Sequence, residues 1–411
     1  MKVEVLAVGT ELLTPHFQDT NSLYLARRLE GVGLRLSFKT VVGDDARDLA
    51  RAARTALGRS GLVIAMGGLG PTEDDRTAEV FARVLGRRRV FKPEVLKTIR
   101  ARFSRRGLKM PATNRKQACI IQGAEVLENP NGTAPGQWLT DGRRSVALLP
   151  GPPRELEPMF EASVLPRLRS RAAGVLVRRV LKLTGLGESL MESKIRAIYS
   201  RLPGGVELTT LASPGDLAIH ITCVSRTGRD AAEKIAAVEK ALRGKVGPFI
   251  YSNRGETLEE VVAGLLTAKR RTLACAESCS GGLLAHRLTN VPGSSAYFLA
   301  GIVAYGNAAK TDLLGVPRSL LLRHGAVSAP VARAMAAGAR RRAKATYGVG
   351  ITGIAGPTGG TAKKPVGLVY IALAGPGRVE VRKHLFFGGR KEVKFQSSQR
   401  ALDLLRRRLE R

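Results

Sequence analysis

The sequence predicts an α/β protein in which two α/β three-layer units flank a small α+β module. Three observations carry that prediction. Short apolar runs alternate with stretches of helical apolar spacing, and several of those runs end in glycine-rich turns. The texture also changes twice along the chain, near Leu176 and at the polar break Ser252–Gly255.

Residues 2–8 read as a short apolar strand, followed by an amphipathic helix carrying Leu23, Ala26 and Leu29. Leu36–Val42 alternates as a strand, and Leu49, Ala52, Ala53 and Leu57 recur at helical spacing. Leu62–Met66 is a continuous apolar run stopped by Gly67 and Gly68, as expected of a strand buried on both faces. Ser145–Leu149 is another such run, leading through a Pro-Gly-Pro-Pro turn into a helix from Glu155. The middle module reads as strand Val177–Leu183, helix Glu188–Tyr199, strand Leu217–Val224 and helix Ala231–Leu242. Nothing in it looks catalytic, so a spacer or dimerisation role is expected. Leu258–Leu266 opens the third unit. There Arg271–Ala276, Gly301–Tyr305 and Tyr347–Thr352 read as strands feeding turns at Glu277, Gly306 and Gly353. The expected domains are 1–170, 171–256 and 257–411.

A chain of 411 residues holds two to three ordinary domains of roughly 100–200 residues. With 44% hydrophobic and 25% charged residues the composition is globular, which excludes a disordered or fibrous chain. Four cysteines cannot form a disulfide framework, which points to a reducing cytoplasm. Glu4 and Glu11 interrupt the apolar N-terminal stretch, so it does not read as a signal peptide. The longest uncharged stretch, Leu288–Ala309, has an apolar part too short for a bilayer.

The net charge of +33 would fit a nucleic-acid partner. The excess is general, however: 28 basic against 18 acidic side chains in 1–170, 14 against 8 in 171–256, and 25 against 8 in 257–411. Arg87–Arg89, Arg340–Arg342 and Arg406–Arg408 each fall in or near the end of a helical segment, where cations complement the helix dipole and solvate a surface. Trp138 and the tyrosines are scattered and build no stacking platform. The favoured expectation is therefore an arginine-rich surface without a nucleic-acid partner. His16, His220 and His384 lack metal-like spacing, so no zinc site is expected.

In the N-terminal unit, Gly67-Gly68-Leu69-Gly70-Pro71-Thr72-Glu73-Asp74-Asp75 follows a strand and precedes a helix. Glycines at 67, 68 and 70 let backbone N–H groups approach a phosphate. Thr72 and Glu155 join them as substrate-binding candidates. Asp74 and Asp75, with Asp44 after an earlier strand, are candidate ligands for a divalent cation. The alternative is that the paired aspartates merely cap the helix.

Several motifs in order, among them Val8–Leu13, Asp19-Thr20-Asn21, the Gly67–Asp75 turn, Asn114–Ala118 and Leu149–Glu155, resemble the CinA family. Thr14-Pro15-His16 departs from the family's usual Leu-Gly-Gln. The resemblance implies a MoaB/MogA-like first domain with metal-dependent ADP-ribose pyrophosphatase activity and a KH-like middle module. That module lacks a GxxG nucleic-acid clamp. Residues 257–411 are similar to the nicotinamide mononucleotide deamidase domain through Ala276–Gly282, Tyr305–Lys310, His324–Ser328, Thr352–Gly360 and Lys364–Gly367. Carried over, Ser278 is the nucleophile and Lys310 the base, in a cytoplasmic, probable-dimer architecture that needs no cofactor for the amidase.

The implied chemistry is consistent with the residues. Amide hydrolysis needs an activated nucleophile, a proton shuttle and an oxyanion site. Lys310 serves as a base only if its pKa falls from about 10.4, and a salt bridge to Glu277 or Asp312 would prevent that. Tyr305 is a candidate to relay the proton or hold the serine. Ser280, Gly281, Gly282, Asn307 and Thr352 are candidate substrate contacts, and Gly353, Gly356, Gly359 and Gly360 could cradle a 5′-phosphate. Three alternatives stay open. Cys279 or Cys275 could pair with His286 or His324, Ser280 could replace Ser278 as nucleophile, and the protein could bind pterins, nucleotides or nucleic acid without catalysis.

Overall fold

The structure, a computed structural model, describes residues 1–169 and 174–411. The expected division at 170/171 lies outside the described residues. The chain gathers into two compact units, residues 1–177 with 224–231, and residues 178–223 with 232–411. The expected division at 256/257 runs inside the second of these.

The first unit begins β1 (Val3–Val8), α1 (Asn21–Glu30), β2 (Leu36–Val42), α2 (Ala46–Arg59), β3 (Leu62–Met66) and α3 (Thr77–Val84). A small ribbon of β4 (Arg89–Phe91) and β5 (Cys119–Ile121) brackets α4 (Pro93–Arg105). Then come β6 (Glu125–Leu127), β7 (Gly136–Asp141), β8 (Arg144–Leu149), α5 (Pro153–Met159) and α6 (Leu165–Arg169). The main sheet has the order β2-β1-β3-β8-β7-β6, with the first four strands parallel and β7 and β6 antiparallel. Leu25, Leu29, Leu156 and Phe160 cover one face with Val3, Val5 and Ile64. Leu49, Ala53, Leu57 and Phe81 cover the other with Leu6 and Val63. This is a three-layer α/β unit, and burial on both faces explains why β1 and β3 read as unbroken apolar runs. Glu4 is the buried exception. It is satisfied by Arg59, Thr40 and Ser60, whose donors lie 2.6–3.0 Å from its carboxylate.

The middle module contains β9 (Val175–Leu183), α7 (Glu188–Tyr199), β10 (Val206–Ser213), β11 (Asp216–Ser225), α8 (Gly228–Val246) and β12 (Ile250–Ser252), in sheet order β10-β11-β9-β12. Beyond it, the second α/β region runs α9 (Leu258–Ala268), β13 (Leu273–Glu277), α10 (Leu283–Thr289), β14 (Phe298–Val303), α11 (Asn307–Leu314), α12 (Arg318–His324), α13 (Ala329–Arg342), β15 (Tyr347–Gly353), β16 (Leu368–Ala374), β17 (Val379–Leu385) and α14 (Arg390–Leu409). Its sheet has the order β14-β13-β15-β16-β17; the first three strands are parallel and the last two antiparallel. α9 and α14 pack Val262, Leu266, Leu402 and Leu405 against Cys275, Val349 and Ile351. α13 covers the opposite face with Val331, Met335 and Ala339.

Gly350 explains how α13 comes so close to β15. A Cβ there would stand 2.6 Å from both the Ala332 carbonyl oxygen and the Ala336 nitrogen. Gly350→Ala should therefore cost about 1–3 kcal/mol through overpacking, read as a lower thermal midpoint. An unchanged midpoint would show that the helix can shift freely.

Two sequence expectations change. The strand expected at Gly301–Tyr305 runs Phe298–Val303, because β14 is an edge strand whose burial alternates, so that apolarity alone does not fix its ends. Tyr305 consequently lies in the following loop. Arg406–Arg408 was expected to solvate a surface, yet Arg406 is only 4% exposed, packed between Asp403 at 2.7 Å and Glu410 at 2.8 Å. Carboxylates one turn to either side make that burial tolerable.

Candidate functional site

In the first sheet β1 lies between β2 and β3, so the chain leaves it in opposite directions and opens a crevice at the carboxyl ends of the strands. A cavity of about 380 Å³ occupies that crevice. Its walls bring together Gly67, Gly68, Gly70, Asp44, Asp74, Asp75 and Glu155, residues scattered over more than 100 positions. Gly67 has φ +99°, and a Cβ there would sit 2.1 Å from the Val8 carbonyl oxygen. The turn can cross the end of β1 only as glycine.

Thr72 donates from its N–H and Oγ1 to Asp75 Oδ2 at 2.9 and 2.5 Å. Lys116, whose positional role the sequence did not disclose, fixes the same turn by donating to the carbonyls of Thr72 and Asp75. The Thr72 hydroxyl nearby, aided by the Lys116 charge, holds the Asp74 carboxyl below its ordinary value. Asp44 accepts the Thr10 N–H and Oγ1 at 2.8 and 2.7 Å. Glu155 is nearly buried and accepts Asn129 Nδ2 at 2.7 Å. The capping alternative fails: α3 has Arg76 at its N-cap with no side-chain bond, whereas Asp45 caps α2.

Among the described residues no three His, Cys, Asp or Glu side chains converge as a ready-made metal cage. The donors present are hard carboxylate oxygens, which suit a cation that completes its shell with substrate phosphates. Asp44, Asp74 and Asp75 all line the cavity; Thr10 engages Asp44 and Thr72 engages Asp75, each at one carboxylate oxygen.

The second sheet repeats the logic. β13 lies between β14 and β15, and Ser278 is the first residue beyond it. The Ser278 N–H donates to Ile351 O at 3.0 Å, and Ala304 N–H donates to Glu277 O at 2.9 Å, so the turn is clamped between the ends of both neighbours. Gly281 and Gly282, at φ +60° and +88°, swing the chain into α10. Ser278 is 8% exposed, whereas Ser280 is fully buried and its Oγ has no hydrogen-bond partner among the described residues.

Lys310, on α11, is 1% exposed. Its Nζ donates to the Tyr305 carbonyl oxygen at 2.8 Å and pairs with no carboxylate among the described residues. Burial holds its pKa below the ordinary lysine value, opposed in part by the Cys279 thiol beside it. That interaction puts the amine within electrostatic reach of the turn bearing Ser278. Glu277, instead of pairing with it, accepts the Leu284 and Ala285 N–H groups at 3.1 and 2.8 Å.

Tyr305 is 58% exposed, and its hydroxyl accepts Arg390 Nη2 at 2.9 Å. Its contact with the lysine is made by the main chain, not by the phenol. Arg390 also donates to Gly356 O at 2.8 Å and so ties the Tyr305 loop to the Gly353–Gly360 loop. Lys394 lies one turn along α14, close to Gly281. No sequence motif pointed to either cation. Asn307, Gly359 and Gly360 are exposed around the site. Thr352 is sealed, donating to Ala326 O at 2.8 Å. Gly353 serves packing, since a Cβ there would meet Leu368 O at 2.7 Å. Burial pushes the Cys279 thiol up to about 12 and raises Cys275 as well, and no hydrogen bond joins either to a histidine among the described residues. A Cys–His nucleophile is not assembled here.

Two open sheets, each with a glycine-rich site at its switch point, define a multidomain α/β protein with two candidate ligand sites. The chain belongs to the CinA family. Residues 4–170 match the probable molybdopterin binding domain, 178–252 the damage-inducible protein CinA KH domain, and 255–409 the CinA C-terminal domain. A CinA-like protein of Koribacter versatilis is 45% identical over 414 residues, covering 100% of both chains. One from Acidobacterium capsulatum is 43% identical over 414 residues with the same full coverage. The solved structure of the competence/damage inducible protein CihA from Agrobacterium tumefaciens is 41% identical, covers 38% of this chain and 94% of its own, and gives a TM-score of 0.37. No helix among the described residues is long and apolar enough to cross a membrane.

Proposed function

We propose that the second site hydrolyses nicotinamide mononucleotide to nicotinic acid mononucleotide and ammonia, and that the first cleaves ADP-ribose with a divalent cation, both in cytoplasmic pyridine-nucleotide salvage. The observation that carries the first activity is Lys310, buried without a carboxylate partner among the described residues and within electrostatic reach of the Ser278 turn. A neutral amine is what a serine hydroxyl needs as its base. Ser278 Oγ attacks the carboxamide carbon as its proton passes to Lys310 Nζ. Lys310 then returns the proton to the leaving nitrogen, and ammonia departs from an acyl-enzyme. Water, deprotonated by the same amine, releases the carboxylate. Arg390 and Lys394 supply positive charge for the 5′-phosphate. Ser278 is preferred to Ser280 because a substrate can reach a partly exposed hydroxyl and not a sealed one. Ammonia release from nicotinamide mononucleotide by the purified chain, with chelator present, tests this assignment; no release would reject it.

For the first site, the reading rests on the carboxylates and glycine turn sharing one cavity. A bound divalent cation would neutralise the pyrophosphate and polarise its phosphorus–oxygen bonds. Asp74 and Asp75 would hold it, while Gly67, Gly68 and Gly70 position the phosphates. Asp75→Asn should abolish ADP-ribose cleavage and leave deamidation intact. Full cleavage by Asp75→Asn, or cleavage that resists chelation, would contradict the assignment.

A further inference from the structure

We infer that the cavity between β17 and α14, lined by Arg382, His384, Arg400, Arg407 and Arg408, is a further anion-binding site that takes a small molecule bearing a diphosphate or longer phosphate chain. It is separate from the Ser278 site. β17 is the edge strand three places from β13. Arg400 lies ten residues along α14 from Arg390, about 15 Å at helical rise.

The charge in this cavity is not balanced by the protein. Five arginines face it, counting Arg411, against the carboxylates of Glu380 and Asp403. Both carboxylates are already shared. Glu380 takes Arg382 at 2.7 Å and Arg408 at 3.0 Å, and Asp403 takes Arg406 at 2.7 Å and Arg407 at 2.9 Å. Arg400 is left 4.0 Å from Asp403 and donates no hydrogen bond to any carboxylate among the described residues. Its side chain is 31% exposed, with Nη1 against the main chain at Gly185, where a Cβ would stand 2.5 Å from that nitrogen. A planar fork of N–H donors held in a half-buried pocket is the arrangement that binds phosphate oxygens in pairs. His384 reports the same imbalance: burial first, then Arg400 and Arg382, push its pKa down to about 4.

Size and shape select the class of ligand. The cavity holds about 340 Å³, within the range of small-molecule sites of roughly 300–1,000 Å³. Single-stranded nucleic acid would need open aromatic faces, and the ring of His384 is already stacked on Phe386 at 5.3 Å and 8°. The surplus of positive charge favours a group carrying two or more negative charges over a single carboxylate.

Calorimetric titration of the full chain with inorganic pyrophosphate, in low salt with chelator, tests the site. Arg400→Gln should weaken binding at one site at least tenfold. Arg382→Gln, on a side chain 63% exposed and tolerant of replacement, should do the same if Arg400→Gln does not fold. Arg341→Gln, which removes equal charge from α13, should change nothing. Orthophosphate should bind at least tenfold more weakly than pyrophosphate. Equal weakening by all three variants would reduce the binding to general charge, and unaltered binding in both cavity variants would place it elsewhere. Either result overturns the site, as would an oligonucleotide that outcompetes pyrophosphate and depends on the same two arginines.

Discussion

Ser278→Ala and Lys310→Ala should each lower nicotinamide mononucleotide deamidation by about 10³-fold or more, and the double variant should lose little beyond that. The two side chains act as one unit in this account, so removing either disables both. Lys310→Arg should fail equally, because a guanidinium is not deprotonated in a protein. Cys279→Ala should keep most activity, since its thiol, pushed up to about 12 by burial, is protonated at working pH. The pH profile follows from the same geometry. Burial lowers the Lys310 pKa, and only the neutral amine accepts the serine proton, so kcat/KM should rise with pH through that lowered value and then level. A rate that falls over that range, or an active Lys310→Ala enzyme, would contradict the roles given to both residues.

Lys310→Met should abolish activity while raising the thermal midpoint near neutral pH. A buried ammonium with one carbonyl partner and no carboxylate is a cost to the fold, and methionine fills the same volume without charge. For a unit of this size each kcal/mol recovered moves the midpoint by about 2–4 °C. The sign against pH is fixed by linkage. With the native pKa lowered, the unfolded chain binds more protons between that value and about 10.4, so the wild type gains stability as pH rises through the window. The advantage of Lys310→Met should shrink accordingly toward pH 10. A variant less stable than wild type at every pH would mean that Lys310 stabilises the fold rather than serving the chemistry at its expense.

What the sequence made legible follows the physics of burial and contiguity. Leu62–Met66 coincides with β3 residue for residue, because a strand covered on both faces is apolar throughout. β14, at a sheet edge, begins three residues and ends two residues before the strand expected there, and β10, exposed along much of its length, carried no apolar signal. The glycine turns at 67–70 and 278–282 were readable because each is one contiguous segment at a strand end. Arg390 was not, since its partners Tyr305 and Gly356 lie 85 and 34 positions away. Asn129 was silent for the same reason, and Lys116, though inside the Asn114–Ala118 motif, disclosed no partner: a polar residue announces none until the fold supplies it. Arg406 shows the converse error, in which a charge run at a helix end looked solvated and is ion-paired in the interior.

In the proposed mechanism Ser278 carries the acyl group of the substrate with Lys310 as its base. Rapid quenching of the enzyme during turnover of nicotinamide mononucleotide, followed by peptide mass analysis, addresses it directly. An acyl adduct should form on the peptide containing Ser278, located at that residue, and none in Ser278→Ala. An adduct on Ser280 or Cys279, or one that survives in Ser278→Ala, would contradict it.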